Sequence, residues 1–330
     1  TAKARKKNFK TDFKKMRYVD LHCDTLTEAL KSGQSFTDGG LQASAEKLKK
    51  SGCAAQCFAI FPQGENAAAF FEESLNYYRS MLDLSANSLA EAKTAADFDS
   101  CLNGAKTGAV LTVESLGFLH GETDKLPALK ARGVKMASLV WNYKNELAYP
   151  NLIFKNGLPD FKRREVRGLT PKGREAVEIL DSLGIIIDIS HLSDGGAEEI
   201  LKNRKAPAVA SHSNSAEVFD VSRNLTDGQI RLLADCGGVV GVNFCKDFLG
   251  MGTTARDTLE EASLHIKHII KVGGEDVIAL GSDFDGIPAP AGLEDCTKIQ
   301  SLFEFLLNNG ISSAVLEKIS YKNAARVLFA

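Results

Sequence analysis

The chain has 330 residues, of which 44% are hydrophobic and 25% are charged, and its formal net charge is −2. This composition is typical of a globular protein and excludes the disordered and collagen-like classes. The slightly negative net charge argues against a general nucleic-acid binder, because affinity for the phosphate backbone requires a basic surface. Seven scattered cysteines, an odd number, favour free thiols in a reducing cytoplasm over a disulfide framework.

The first 17 residues, TAKARKKNFKTDFKKMR, form a basic segment that lacks the apolar stretch of a secretion signal. We interpret residues 1–17 as a solvated tail or an added extension, and residues 18–330 as a single catalytic domain. The sequence contains no run of 18 apolar residues and no lipid-anchor signal, so it favours a cytoplasmic protein without a membrane anchor.

Eight short apolar runs predict β-strands. In chain order they are YVDLH, CAAQCFAIF, GAVLTVE, VKMASLVW, GIIIDISH, PAVASH, GGVVGVNF and DVIALGSDF. Helical patterns separate most of them, and the clearest has Thr170 as its N-cap, Pro171 at its first position and Gly184 at its end. This alternation favours an α/β fold of the closed parallel type, the (β/α)8 or TIM barrel.

The longest predicted insertion covers residues 142–168, directly after the fourth strand, and contains Pro150, Gly157 and Pro159. In (β/α)8 barrels the catalytic residues lie at the C-terminal ends of the strands and in the loops that follow them. Polar residues at these places therefore indicate function.

Five of the predicted strands end in polar side chains that can bind metals. These are His22, Asp24, Glu114, His191, His212 and Asp283. His22 and Asp24 are two residues apart, so a strand points both to one side and Cys23 to the other. A single histidine at a strand end is more often structural. Here barrel closure gathers imidazoles and carboxylates, the ligands that two divalent ions such as zinc can use, with Glu114 as the bridge.

The other three histidines have simpler interpretations. His265 and His268 are three residues apart and fit the flank of an outer helix. His120 follows the third strand by a few residues, where it could support a metal ligand without binding the metal itself.

Seven stretches carry a family resemblance between about residues 18 and 290. They are DLHCDTL, TVESLGFL, LVWNYKNELA, GLTPKGREAVEILDSLGIIIDISH, AVASHSNS, VSRNLTD and GSDFDGI. With them the chain resembles the membrane (renal-type) dipeptidases of the amidohydrolase superfamily, especially their bacterial cytoplasmic relatives. The resemblance implies two zinc ions. His22, Asp24 and Glu114 would hold one ion, and Glu114, His191 and His212 would hold the other.

The resemblance also implies a catalytic acid/base at Asp283 and a substrate-holding arginine at Arg223. An ion pair of Arg223 with Asp220 or Asp227 is the structural alternative. Trp141 stands where the mammalian enzymes have a substrate-binding histidine, which predicts a different pocket shape.

A second position near the fourth strand, Asn145, is a further candidate for a polar contact with substrate. A structural role in its loop is the equal alternative.

Together these features predict a zinc-dependent dipeptidase for free dipeptides, including those with a D-residue at the C-terminus. A hydroxide shared by the two ions would attack the peptide carbonyl, and Asp283 would transfer the proton to the leaving amine. The alternatives are hydrolysis of a lactone, cyclic amide or N-acyl amino acid, and a metal-binding barrel without enzymatic activity. A homodimer is expected from the resemblance alone.

Overall fold

The computed structural model describes residues 15–37, 39–202 and 204–330. The strands in these ranges are β1 (Tyr18–Cys23), β2 (Cys53–Ile60), β3 (Leu89–Glu91), β4 (Thr107–Val113), β5 (Met136–Ser138), β6 (Ile153–Lys155), β7 (Leu158–Asp160), β8 (Ile186–Asp188), β9 (Val209–Ala210), β10 (Val239–Val242) and β11 (Ile278–Leu280). The α-helices are α1 (Thr25–Ser32), α2 (Ala45–Ser51), α3 (Ala67–Leu84), α4 (Ala95–Asn103), α5 (Leu126–Ala131), α6 (Pro171–Leu183), α7 (Asp194–Leu201), α8 (Asp227–Asp235), α9 (Lys246–Leu249), α10 (Ala255–Gly273), α11 (Ile299–Asn308), α12 (Ser313–Glu317) and α13 (Asn323–Leu328). Short turns of other helical types cover Leu116–Leu119, Thr123–Lys125, Cys296–Lys298 and Lys318–Lys322.

Eight parallel strands form a closed barrel in the order β2, β1, β11, β10, β9, β8, β5 and β4. The pairing of β2 with β4 closes the ring, with Ala55 opposite Gly108 and Ile60 opposite Val113. Each of the eight predicted strands overlaps one barrel strand, so the predicted (β/α)8 fold is confirmed. The closed ring brings the C-terminal ends of all eight strands to one face.

The barrel strands are buried along almost their whole length. Every residue of β1, β2, β4, β5, β10 and β11 is buried. A parallel sheet with helices on its outer side and side chains filling its interior requires such strands. Two of the strands nevertheless contain a buried charged residue, Asp20 inside β1 and Asp188 at the end of β8, and each needs buried hydrogen-bond partners.

The predicted helix after the insertion is α6. The Thr170 hydroxyl accepts a hydrogen bond from the Gly173 amide at 3.0 Å, and Pro171 occupies the first helical position. Gly184 ends the helix in the left-handed conformation, with φ of 64°. All three predicted boundary residues are confirmed, because capping depends on neighbouring residues alone.

The predicted insertion after the fourth barrel strand contains an antiparallel hairpin of β6 and β7. Ile153 pairs with Asp160, and Lys155 pairs with Leu158. Tyr143 of the same insertion stacks on Phe154 of the hairpin, with 5.0 Å between ring centroids. The sequence predicted the insertion but missed its two strands, which are short and largely exposed.

Only the last three residues of the predicted basic tail, 15–17, fall within the described part of the chain. Arg17 donates hydrogen bonds to the carbonyl oxygens of Cys101 and Gly104, at 2.6 and 3.2 Å. All seven cysteines are buried and unpaired, as predicted. Within the described ranges, the helices lack the combined length and apolarity that crossing a membrane requires.

Candidate metal centre

The six polar residues predicted at the strand ends come together at one mouth of the barrel. The first pair, His22 and Asp24, lies at the end of β1, and the others follow β4, β8, β9 and β11. All six are buried: His22, Asp24, Glu114, His191, His212 and Asp283. The strand topology, rather than sequence proximity, creates the cluster.

Glu114 lies at the centre of the cluster and faces three imidazoles. Its Oε1 atom is 2.8 Å from Nε2 of His191 and 3.5 Å from Nε2 of His212. Its other oxygen, Oε2, is 3.9 Å from Nε2 of His22. One carboxylate thus presents different oxygens to the two sides of the cluster.

The second side of the cluster is formed by His22 with two aspartates. Nε2 of His22 lies 3.3 Å from Oδ2 of Asp24 and 3.8 Å from Oδ1 of Asp283. Asp283 has a left-handed backbone, with φ of 65°, and its Oδ2 accepts a hydrogen bond from Nδ2 of Asn243 at 3.0 Å. The turn after β11 therefore directs this carboxylate into the cluster.

A glycine in the same turn leaves room for the carboxylates. A Cβ atom added to Gly286 would lie 2.2 Å from Oδ2 of Asp24 and 2.7 Å from Oδ1 of Asp283. Any other residue would displace one of these side chains. The glycine of the GSDFDGI stretch is thus explained by close approach at the site.

Burial and neighbouring charges shift the protonation of the histidines in opposite directions. Burial, assisted by the cationic Arg223 and His22, lowers the pKa of His191 and of His212 well below the usual value. Burial also acts to lower the pKa of His22, but the carboxylates of Glu114 and Asp24 raise it to about 10. The neutral imidazoles of His191 and His212 keep the lone pairs that a metal ion needs.

The carboxylates are shifted upwards. Burial and the nearby Asp24 raise the pKa of Glu114. Burial raises the pKa of Asp283 to about 7, against the opposing effect of His22 and with a contribution from Asp24. The anionic forms of these acids are therefore destabilised, and a bound cation would stabilise them.

The residues present fit divalent metal ions. Three combinations place one possible ligand atom per residue within 4.8 Å of one another: His22, Asp24 and Glu114; Glu114, His191 and His212; and His22, His212 and Asp283. In addition, Oδ1 of Asp24 is buried without a hydrogen-bond partner among the described residues. Imidazole nitrogens and carboxylate oxygens are common ligands of zinc, and an unpaired buried carboxylate oxygen is costly without a cation.

Sequence reasoning missed the residues that support the clustered histidines from behind. Nδ1 of His191 lies 2.9 Å from Oδ1 of Asn142, and Nδ1 of His212 lies 2.7 Å from Oγ of Ser211. Asp20 accepts hydrogen bonds from the amide and the hydroxyl of Ser282, at 2.9 and 2.5 Å. The signal for Asp20 was available, because it is a charged residue inside an apolar strand.

A cavity of about 310 Å³ opens over the cluster. One wall is aromatic: the rings of Phe61 and Trp141 are 4.7 Å apart, and Trp141 lies 6.1 Å from the His191 ring. The lining also includes Thr27, Glu28 and Lys31 of α1, and Nζ of Lys31 lies 5.8 Å from the centroid of the Phe61 ring. Trp141 thus lies beside the cluster, at the position where the family resemblance predicts a different pocket shape.

Arg223 also lines this cavity and is buried. It donates hydrogen bonds to the carbonyl oxygens of Ser190 and His212, the latter at 3.4 Å, and its Nη2 lies 3.2 Å from Nε2 of His191. The alternative ion pair with Asp220 or Asp227 is wrong. Arg223 is turned inward instead, towards the cluster.

Asp220 and Asp227, the two alternative partners of Arg223, pair with other residues. Asp220 lies 3.9 Å from Arg164, and Asp227 pairs with Arg231 and His268, at 3.4 and 2.7 Å. Both aspartates are thus paired with other residues, and neither contacts Arg223.

Asn145 does not line the cavity in the described part of the chain. Its Nδ2 donates to the carbonyl of Leu139 at 2.8 Å, and its Oδ1 accepts from the amides of Leu147 and Ala148, at 2.9 and 3.0 Å. The whole carboxamide therefore braces its own loop, which favours the structural alternative.

The remaining histidines lie away from the cluster. His265 is buried between the amide of Ser215 and the carbonyl of Leu249, at 3.1 and 2.8 Å. His268 pairs with Asp227, and His120 is exposed with a left-handed backbone. None of the three takes part in the ligand combinations found among the described residues.

Comparisons of the sequence identify relatives along nearly the whole chain. The family described as membrane dipeptidase (peptidase family M19) matches residues 7–330. A protein from the pqqA 5′ region of Klebsiella pneumoniae is 34% identical, over 78% of this chain and 94% of its own. A protein of Schizosaccharomyces pombe named as an uncharacterised dipeptidase is 29% identical, over 97% of this chain and 81% of its own.

Solved structures share the fold. The metallopeptidase dipeptidase AC, of family M19, has a TM-score of 0.86 at 26% identity, over 96% of this chain and 98% of its own. A metallopeptidase from Rhodobacter sphaeroides, bound to a phosphinate mimic of the dipeptide L-Ala-D-Ala, has a TM-score of 0.82 at 26% identity, over 96% and 99%. This chain belongs to the membrane dipeptidase family, peptidase family M19, and is a metal-dependent dipeptidase.

Proposed function

We propose that the protein hydrolyses free dipeptides with two zinc ions at the cluster. The observation that carries this proposal is the position of Glu114, which presents Oε1 to His191 and Oε2 to His22. His22, Asp24 and Glu114 would hold one ion, and Glu114, His191 and His212 the other. Bound there, the ions would acidify a water molecule and polarise the scissile carbonyl.

Asp283 has the position of a general acid and base. Its carboxylate lines the cavity, and in the metal-free protein burial raises its pKa to about 7. A carboxylate at this position can accept a proton from the attacking water and give it to the leaving amine. The Asn243 amide, at 3.0 Å from Oδ2, fixes the orientation of the carboxylate and leaves Oδ1 for this exchange.

The cavity also provides opposite charges for the two ends of a dipeptide. Arg223 supplies a guanidinium that can bind a carboxylate through paired hydrogen bonds. Glu28 of α1 is half-buried, lines the cavity, and its carboxylate has no ion pair among the described residues. A free dipeptide carries both an ammonium and a carboxylate group, so Glu28 and Arg223 together favour it over longer or blocked peptides.

Acceptance of a D-residue at the C-terminus is supported by the relative from Rhodobacter sphaeroides, which was solved with a mimic of L-Ala-D-Ala. A cytoplasmic location is supported by the seven buried, unpaired cysteines, which suit a reducing compartment. A homodimer is supported by the family resemblance.

Kinetics on a panel of dipeptides test the proposal. The enzyme is reconstituted with zinc, and the panel includes pairs that differ only in the configuration of the C-terminal residue. We expect turnover of free dipeptides, and of members with a C-terminal D-residue. Hydrolysis of lactones, cyclic amides or N-acyl amino acids without dipeptide turnover would instead support the alternative substrates, and zinc binding without any turnover would support a binding protein.

A further inference from the structure

Asp188 lies directly behind the cluster of candidate metal ligands and accepts four hydrogen bonds. Its Oδ1 accepts from the amide and the hydroxyl of Ser190, at 3.0 and 2.7 Å, and from the amide of Ser211 at 3.0 Å. Its Oδ2 accepts from the hydroxyl of Ser211 at 2.5 Å. Four converging donors are the environment of a carboxylate, which can only accept hydrogen bonds.

This arrangement determines the direction of the next hydrogen bond. Oγ of Ser211 lies 2.7 Å from Nδ1 of His212. A hydroxyl has one proton, and the Ser211 proton is used by Asp188, so Oγ must accept from an Nδ1–H group. In the reverse arrangement Oδ2 of Asp188 would face an oxygen lone pair at 2.5 Å, with no proton between them.

The tautomer of His212 follows. With its proton on Nδ1, the neutral imidazole carries a lone pair on Nε2. That nitrogen faces the cluster, 2.9 Å from Nε2 of His191 and 3.5 Å from Oε1 of Glu114. Metal-binding histidines need this arrangement, and the partner of the second ring nitrogen fixes both tautomer and ring orientation.

We propose that Asp188 and Ser211 are positioning residues that hold His212 as the Nδ1–H tautomer, ready to bind a metal through Nε2. This inference rests on the proposed function for the metal, whereas the tautomer itself follows from the hydrogen bonds. The partner of His191 is uncharged: Nδ1 of that ring lies 2.9 Å from the carboxamide of Asn142. The relay to a buried carboxylate distinguishes His212 from His191.

Nitrogen NMR on the unmodified, metal-free protein tests the tautomer without any substitution at the relay. Histidine is labelled with ¹⁵N, and the His212 signals are identified by their loss in the His212→Asn variant. We expect a protonated Nδ1 and an unprotonated Nε2. An Nε2–H tautomer of His212 would overturn the inference.

Zinc titration tests the role of the relay. We expect Ser211→Ala to lower the affinity for one of the two zinc ions by roughly 10- to 100-fold. Ser320→Ala is the matched control, since Ser320 is also a buried serine, but its hydroxyl bonds the Glu317 carbonyl and contacts neither Asp188 nor His212. It should keep both zinc affinities. Equal zinc affinities in Ser211→Ala and the unmodified protein, or equal losses in both variants, would contradict the positioning role.

Different results would refute the positioning role of Asp188 and Ser211 and the proposed function. If the unmodified protein binds zinc and hydrolyses dipeptides but Ser211→Ala does so with unchanged zinc affinity, only the relay is wrong. If the unmodified protein neither binds zinc nor hydrolyses dipeptides, the proposed function is wrong, and with it the metal-positioning role of the relay.

Discussion

Glu114 and His191 contact each other at the centre of the barrel mouth, with 2.8 Å between Oε1 and Nε2. Because the other Glu114 oxygen points to His22, the neutral amide of Glu114→Gln would weaken both sides of the centre. We expect this variant to lose much of its zinc and nearly all activity while the barrel stays folded. Metal analysis, turnover and circular dichroism measure these three properties.

Glu122 provides the control for that experiment. It lies in the loop after the same strand and pairs with Lys125 on the surface. Glu122→Gln should therefore keep normal zinc content and turnover. Two zinc ions per chain with normal turnover in Glu114→Gln would refute the bridging role.

Asp283→Asn removes the proposed base while keeping the size of the side chain. Asparagine also tolerates the left-handed backbone of this residue, so the turn should remain intact. We expect kcat to fall by roughly 100-fold or more, with little change in metal content. If Asp283 only braces the strand end or a ligand, metal content or thermal stability will fall together with kcat.

The sequence predicted the barrel and the six clustered residues because both depend on local patterns. Apolar runs and capping residues are read from neighbouring positions, and the topology of a closed barrel then brings strand ends together. His191 and His212 are 21 residues apart in the chain, yet their Nε2 atoms are 2.9 Å apart. The predicted barrel fold was sufficient to predict that these two side chains lie close together.

The supporting residues could not be predicted in the same way. Asn142 and Asn145 occupy one loop and have the same side chain, but only Asn142 contacts a clustered histidine, while Asn145 bonds its own backbone. The path of an irregular loop decides between them, and no periodic pattern encodes it. Asp188 was more accessible to prediction, because a charge within an apolar strand requires a buried partner.

Glu28→Gln tests whether the cavity recognises the ammonium group of a dipeptide. Loss of one charge-assisted hydrogen bond should raise KM for free dipeptides by roughly 10-fold or more, with a smaller effect on kcat. N-acetylated dipeptides should be poor substrates for the unmodified enzyme, and the preference for free over acetylated peptides should decrease in Glu28→Gln. Glu46→Gln, on the exposed side of α2, is the control. An unchanged preference would exclude Glu28 from substrate binding.

His265 makes stability depend on pH independently of the metal centre. Burial lowers its pKa to about 4 from the usual 6.5, so between these values the unfolded chain binds more protons than the folded one. Its contribution is fully present above about pH 6.5 and is lost as pH falls towards 4. From pH 7 to 5 the loss is about 2 kcal/mol.

The His265→Gln variant isolates this effect, because glutamine can still bond the Ser215 amide and the Leu249 carbonyl without becoming charged. We expect its free energy of unfolding, measured by denaturant titration, to fall less between pH 7 and 5 than that of the unmodified protein. Identical pH dependence of the two proteins would show that His265 stays protonated, or is accessible, in the folded state.

Arg223 offers an explanation for a preference for peptides of two residues. A guanidinium that binds the terminal carboxylate at a fixed distance from the metal centre places the scissile bond one residue away and excludes longer chains. Arg223→Met should therefore raise KM for free dipeptides by roughly 10- to 100-fold. Because Arg223 also donates to the carbonyls of Ser190 and His212, part of that loss could come from a disturbed centre.

The sharper comparison leaves the protein unchanged: a dipeptide and its C-terminal amide differ only in the charge that Arg223 would bind. We expect kcat/KM of the amide to be at least about 10-fold lower. Equal values would exclude the carboxylate contact and favour hydrolysis of other amides at the same metal centre.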